Sequence, residues 1–539
     1  MSLSFVYSRA LVGVEALQVS VEAHLSTGLP GFAIVGLPET TVRESKERVR
    51  SAILNSGLEF PARRITVNLA PADLPKTGGT YDLAIALSIL QASDQLPDSA
   101  LLDLELMGEL ALTGELRPVR GVLAAAIAAK NAARKIVVPF SNQAELSLTG
   151  YKDGQSCKSL LEVVQLLLDP KKENTNQNDI TDKAQKQAQS GEGKWKEKGK
   201  VTRNLSQFHS TSQVENIDTC EPEIEDEIKG QTIAKLAIKV AAAGNHNVLL
   251  IGPPGCGKTL LANRMIKLLP QLASDDAMEV ATIRSVAGLE TTAENCFQRP
   301  IRSPHHTATA ISLLGGGTKA MPGEISLAHF GVLFLDELTE FKRGVLDSLR
   351  EPLESGEVHI TRANYRVRFP ARFQLIAAMN PCPCGYASDV SRQCRCSQEV
   401  INRYLAKLSG PFLDRFDLMI ELPGLSQTEL LMQKPEQWRP AAEARKIDRC
   451  RHLQLARGST LNSQITTEQL NSICPLDESK KAALAKQLDL LGMTSRATHR
   501  IVKVARTIAD LDAAENIEDS HLNQALMLRR SRLINRLVR

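Results

Sequence analysis

Three short, unbroken apolar runs punctuate the middle of the chain: Val248-Leu249-Leu250-Ile251, Val332-Leu333-Phe334-Leu335 and Leu375-Ile376-Ala377-Ala378-Met379. Runs of this length without polar alternation predict strands buried on both faces of a parallel sheet. Each leads into a different kind of residue: a glycine-rich turn after Ile251, two carboxylates after Leu335, and Asn380 after Met379. Nearer the N-terminus, Val14 to Val21 alternates like a half-buried strand, and Arg64 to Leu69 reads as another. Tyr81–Gln91 and Gly121–Ala133 have helical periodicity, and Lys135–Pro139 returns as a strand. Glu357 to Arg362 and Arg366 to Phe369 alternate with period two around Ala363-Asn364-Tyr365, which predicts a β-hairpin. Ser303 to Gly323 is a glycine-rich interruption of what would otherwise be a helix, and long insertions of this kind inside a compact core are usually functional. Beyond Pro423 the pattern is helical. From about Pro170 to Thr219, Lys, Gln, Asn and Gly dominate with almost nothing to bury, so the ordering entropy has no offset and a solvated tether is expected. The pattern divides the chain into an α/β domain over 1–169, a linker over 170–220, an α/β core over 221–424 and a helical region over 425–539.

The turn after the first apolar run carries specific chemistry. Gly252-Pro253-Pro254-Gly255-Cys256-Gly257-Lys258-Thr259 has P-loop spacing and lies between an expected strand and an expected helix. Glycines let backbone N–H groups close around a phosphate, and the following helix directs its positive end toward it. This spacing assigns Lys258 to the β- and γ-phosphates of ATP and the Thr259 hydroxyl to Mg²⁺. Asp336 would hold the same Mg²⁺, and Glu337 would orient the attacking water and accept its proton.

Composition narrows the picture only a little. At 539 residues the chain has room for roughly three or four units of about 150 residues. With 4% aromatic residues, base or sugar stacking is not expected to be the main binding device, and a net charge of +4 requires any basic surface to be local. The first residues lack a basic stretch followed by a long apolar one, and no apolar run reaches bilayer length, so a cytoplasmic protein without a membrane partner is expected. Ten cysteines do not make a disulfide scaffold in a chain this long. Cys382, Cys384, Cys394 and Cys396 form two Cys-x-Cys pairs, the four thiolates a structural Zn²⁺ needs; the alternative is four reduced thiols. Cys256 stands outside this set.

Several segments resemble known families. Pro75 to Asp82 and the stretch Gly108 to Gly121 resemble the proteolytic domain of Lon proteases, a ribosomal S5 domain 2-like fold. Thr80 stands where that family has its nucleophilic serine, and Leu123 where it has the activating lysine. A hydroxyl without an amine lacks its base, so the resemblance implies the scaffold without the Ser-Lys dyad. The P-loop region resembles AAA+ ATPases, which implies that Gln231 lies beside the adenine and that Asn380 is the sensor 1 residue touching water or γ-phosphate. The interruption at Ser303–Gly323 and the hairpin resemble the helix-2 insert and pre-sensor-1 hairpin of the clade holding MCM helicases and magnesium chelatase. There they project into the pore of a ring, which implies DNA phosphate contacts for Lys319, Arg362, Arg366 and Arg368; otherwise these are solvated surface cations. Leu413 to Leu418 matches the segment of the arginine finger, implying that Arg415 reaches a neighbouring subunit's γ-phosphate; the other reading is an ion pair with a flanking aspartate. Met493 to Arg500 resembles sensor 2, with Arg496 facing the nucleotide in a helical C-terminal lid. Arg529, Arg530, Arg532, Arg536 and Arg539 read as a solvated basic face.

Together these motifs, with SPHHTATA, GEISLAHFGVLFLDE and CPCGY, cover nearly the whole chain and are similar to the ComM/YifB family of magnesium-chelatase-like AAA+ ATPases. The resemblance implies a homo-hexameric, ATP-driven DNA helicase acting on single-stranded and branched DNA. It implies branch migration during natural transformation and homologous recombination, with recombination proteins as partners. Two other classes share the core: a magnesium-chelatase motor subunit and a protein-remodelling module.

Overall fold

The computed structural model describes residues 3–36, 42, 44–168, 224–225, 228, 230–317, 320–361, 366–387, 389, 392–424, 437–491 and 495–529. The expected linker, Lys319, Arg362 and the arginines at 530, 532, 536 and 539 lie outside these residues. The chain forms two compact units: Met1–Glu215 with Ala281–Cys296, and Asn216–Val280 with Phe297–Arg539. Residues 281–296, contiguous in sequence with the P-loop region, therefore belong to the N-terminal unit.

That unit is built on a seven-stranded mixed sheet. Its order is Gly31–Val35, Arg64–Ala70, Glu15–Ser26, Leu3–Val12, Leu104–Leu106, Lys135–Pro139 and Gly154–Cys157. The alternating stretch read at Val14 proves to be the second arm of a hairpin whose first arm is Leu3–Val12, with Gly13 at φ 66° opening the turn. The helix Asp82–Ala92 is buried along its whole length and forms the centre of this core. Its first residue, Asp82, is bound by Arg48 through Nε at 2.7 Å and Nη2 at 3.1 Å, and accepts from the Leu110 N–H at 3.3 Å. Lys76 is fully buried, and its ammonium donates to the carbonyls of Gly36, Pro71 and Leu74. Leu123, at the start of the helix Val122–Asn131, is buried, and its N–H donates to the Ser285 hydroxyl at 3.3 Å. That hydroxyl in turn donates to Glu145, and the Ser285 carbonyl accepts from the Gly121 N–H at 3.1 Å. Residues 281–296 are thus hydrogen-bonded into the N-terminal unit.

The second unit holds a five-stranded parallel sheet in the order Ile301–Arg302, Val332–Leu335, Gln374–Met379, Val248–Ile251, Leu418–Glu421. Its three central strands are buried throughout, as apolar runs covered on both faces must be. Helices Thr232–Gly244, Lys258–Lys267 and Ser495–Leu511 share one core with the sheet. The first of these begins only at Thr232, because Gly230 and Gln231 both take left-handed backbone, at φ 60° and 51°, and a right-handed helix cannot pass through them. The C-terminal part is helical, with Pro440–Gly458, Thr467–Ile473, Glu478–Leu491, Ser495–Leu511 and Asp519–Arg529. Arg529 is not solvated: it is buried and donates to the carbonyls of Phe416 and Asp417, acceptors that no local pattern announces. No described helix is long and apolar enough to cross a membrane.

Candidate functional site

Register fixes the first part of the site. Ile251 pairs with Met379, and Leu335 with Ala377, so the carboxyl ends of three adjacent strands release Gly252, Asn380 and Asp336 side by side. In open α/β sheets this edge is where ligands bind. Gly255 and Gly257 stand at φ 79° and 89°, and the latter precedes the helix Lys258–Lys267. Gly252 is needed for another reason: a Cβ there would lie 2.7 Å from the Cys256 sulfur and 2.9 Å from Leu422 Cβ.

Within this cradle Lys258 Nζ donates to the carbonyls of Gly252 and Pro253, both at 2.9 Å, and to Asn380 Oδ1 at 3.1 Å. Burial lowers the pKa of this ammonium, against the attraction of Asp336 and Glu337. Thr259 Oγ1 lies 3.4 Å from Asp336 Oδ2, so hydroxyl and carboxylate face one another across a gap suited to a shared cation. Glu337 adopts left-handed backbone at φ 51°, and its carboxylate is exposed. Gln231 Nε2 donates to the Cys256 carbonyl at 2.8 Å, while its Oε1 is buried with no hydrogen-bond partner, an acceptor left over beside the P-loop. The structure therefore brings Gln231, the P-loop, Asp336, Glu337 and Asn380 together.

One neighbour escaped the sequence reading. His306, in the SPHHTATA stretch, places Nδ1 3.4 Å from Glu337 Oε2 and stacks on His305 with ring centroids 4.1 Å apart. The adjacent histidines directly after a strand were the available signal. The rest of that insertion holds the short helix Ala310–Leu314, capped by Thr309, and the strand pair Gly315–Gly316 with Met321–Pro322. Arg302 anchors its base through a two-pronged contact with Glu324, at 2.6 and 2.9 Å.

Arg415 and Arg496 stand differently. Arg496 is exposed on the helix Ser495–Leu511. The Arg415 side chain is only 6% exposed and pairs with Glu354 at 2.5 Å, not with a flanking aspartate. Desolvation lowers its pKa, opposed by the Glu354 charge. Together with Asp347, Arg350, Glu351 and Ser355 they line a cleft of about 510 Å³. Asp417 is committed elsewhere: it accepts from Arg500 and from the Asn247 N–H at 3.0 Å. Burial opposes ionisation of this carboxyl, but Arg500 and His246 outweigh it and hold it well below the usual range. Arg500 also donates to the Arg415 carbonyl at 3.3 Å, so the Leu413–Leu418 segment is tied to the helix that carries Arg496.

The hairpin forms with Thr361 opposite Arg366 and His359 opposite Arg368. These four residues are exposed, whereas Val358, Val367 and Phe369 are buried. Arg368 meets Glu357 at 3.3 Å, an exposed pair of small energetic weight.

The four cysteines converge. Sulfurs of Cys382, Cys384 and Cys394 are 3.3, 3.5 and 3.7 Å apart, and with Cys396 all lie within 4.8 Å of one another. Four sulfurs held about 2.3 Å from a central Zn²⁺ would be roughly 3.8 Å apart, so the donor set fits such an ion in number, chemistry and spacing.

Known proteins resemble this chain over nearly its whole length. Residues 225–430 match the family model described as magnesium chelatase, subunit ChlI; residues 21–142 match subunit ChlI of Mg-chelatase, and 439–529 its C-terminal model. Competence protein ComM of Haemophilus influenzae is 46% identical over 527 residues, covering 98% of this chain and 97% of that one. YifB of Salmonella typhimurium is 44% identical over 530 residues, covering 98% and 97%. A magnesium-chelatase 67 kDa subunit of Heliobacterium mobile is 24% identical over 324 residues, covering 54% of this chain and 46% of its own. A parallel sheet with a P-loop at its carboxyl edge, a helical C-terminal region and full-length similarity of this order place the chain in the ComM/YifB magnesium-chelatase-like family of AAA+ proteins.

Proposed function

We propose that the protein is an ATP-driven DNA motor that works as a ring of identical subunits, six by family resemblance, and promotes branch migration while single-stranded DNA is integrated. The observation that carries this reading is the meeting of Lys258, Thr259, Asp336, Glu337 and Asn380 at three adjacent strand ends, in a chain similar over its length to a competence protein. In the proposed cycle the P-loop N–H groups hold the phosphates, and Lys258 exchanges its backbone carbonyls for phosphate oxygens. Gln231 offers its free Oε1 to the adenine amino group. Thr259 and Asp336 would hold Mg²⁺, which would supply charge neutralisation to the phosphates. Glu337, held from the side by His306, accepts the proton of the attacking water, and Asn380 orients that water.

Arg415 is the trans-acting finger in this reading. It must leave Glu354 to reach a neighbouring subunit, and Arg496 completes the site from the lid. Arg366 and Arg368 on the hairpin, with Lys319 and Arg362, meet DNA phosphates. The N-terminal unit is a Lon-like scaffold. Cys382, Cys384, Cys394 and Cys396 hold a structural Zn²⁺, which has no open coordination position and so no part in the chemistry.

The similarity to a chelatase subunit supports a second reading, a motor acting on a metal-insertion partner. ATPase rates with forked, branched, single-stranded and no DNA separate the two. Stimulation that weakens steeply with salt is expected of the DNA motor. Indifference to every DNA would reject it.

A further inference from the structure

The cysteine loop touches the P-loop. Gly385 follows Cys384 directly, is buried, and takes a left-handed φ of 84°. A Cβ at this position would lie 2.6 Å from Cδ and 2.8 Å from Cγ of Pro254, so the loop backbone rests directly on the P-loop proline. The contact is formed by a turn that the Gly385 N–H closes onto the Cys382 carbonyl at 2.9 Å. Cys382 is itself buried two residues after Asn380, whose side chain accepts from Lys258. On its far side the same loop brings Asp389 against Gly424, where a Cβ would lie 3.0 Å from Oδ1. Gly424 stands two residues after Leu422, which packs under Gly252. The P-loop is thus backed at Pro254 by a segment with little regular structure among its described residues, whose four sulfurs converge on one point.

We propose that metal loading of this cysteine site controls nucleotide affinity, with Gly385 and Pro254 as the point of transmission. The inference rests on the zinc reading above. An ion joining Cys382 and Cys384 to Cys394 and Cys396 closes the intervening loop and removes its conformational freedom. The loop then holds Pro254, and with it the curve of N–H groups that receives the phosphates. Without the cross-link that surface is free to move, and binding must supply the ordering. Coupling between two sites is reciprocal, so nucleotide must tighten metal retention by the factor by which metal tightens nucleotide.

The test uses the full chain. Metal content is measured by elemental analysis. The Kd for a fluorescent ATP analogue with Mg²⁺ is then measured before and after a zinc chelator of negligible magnesium affinity, and again after Zn²⁺ is restored. The expected result is a loss of about tenfold in nucleotide affinity that zinc reverses. A non-hydrolysable analogue should slow chelator removal of zinc. Gly385→Ala should keep its zinc yet lose nucleotide affinity, because its added carbon strikes Pro254. Cys394→Ser should lose both, and circular dichroism of each variant checks that the fold persists. Zinc that binds and leaves with no change in nucleotide Kd, and no effect of Gly385→Ala, would overturn this inference while leaving the metal site standing. A chain that neither carries nor takes up zinc would overturn both.

Discussion

Glu337 occupies strained left-handed backbone, and its carboxylate is met by the His306 ring at 3.4 Å. Strain of this kind persists where surrounding structure imposes it. Asp336 faces Thr259 while Glu337 meets His306, so the roles proposed for the two can be separated by mutation. Glu337→Gln is expected to lower turnover by about 10² to 10⁴-fold, the usual worth of a general base, with nucleotide affinity retained. Single-turnover hydrolysis beside equilibrium binding measures both. Arg415 gives a contrasting expectation. Its guanidinium is paired with Glu354, whose carboxylate is exposed. Arg415→Ala should remove at least about 10³-fold in turnover while sparing binding, and mixing it with Glu337→Gln should restore activity at mixed interfaces. Arg415→Ala hydrolysing ATP normally as a dilute monomer would refute the finger assignment.

Elements built from local pattern were legible in the sequence. The parallel strands announced themselves as apolar runs, and the hairpin at Glu357–Thr361 and Arg366–Pro370 as period-two alternation. Convergence of the four sulfurs followed from their spacing, since two Cys-x-Cys pairs must lie close for a short loop to join them. What stayed hidden depends on partners distant in sequence. Nothing near Arg529 foretells that it will cap the carbonyls of Phe416 and Asp417. Nothing near Arg500 foretells that it will take Asp417 and leave Arg415 to Glu354. Left-handed Gln231 was equally illegible, because only a structure shows that the helix must wait for Thr232. At the hairpin, period two places Arg366 and Arg368 on one outward face. Replacing both with alanine should weaken binding to all DNA sequences alike and flatten the dependence of log K on log salt by about one unit for each phosphate no longer neutralised. Loss of sequence preference with an unchanged salt slope would count against phosphate binding by this face.

For the molecule as a whole, the membership of residues 281–296 matters most. The chain leaves the P-loop unit after Val280, contributes this segment to the N-terminal unit and returns at Phe297. Ser285 is fully buried there, with its hydroxyl shared between Leu123 and Glu145 and its carbonyl taken by Gly121. A severed ATPase fragment beginning near Glu221 would carry the segment without these partners, losing hydrogen bonds worth about 0.5–1.5 kcal/mol each. Such a fragment should melt at lower temperature and aggregate more readily than the intact chain, as calorimetry and light scattering would register; equal behaviour would deny the segment any structural debt. Adding the N-terminal piece back in trans should recover part of the loss. Evolution cannot readily have shed or exchanged the front half by a single recombination between modules, because a splice between residues 215 and 216 would leave one strip of the N-terminal unit, residues 281–296, stranded on the other piece.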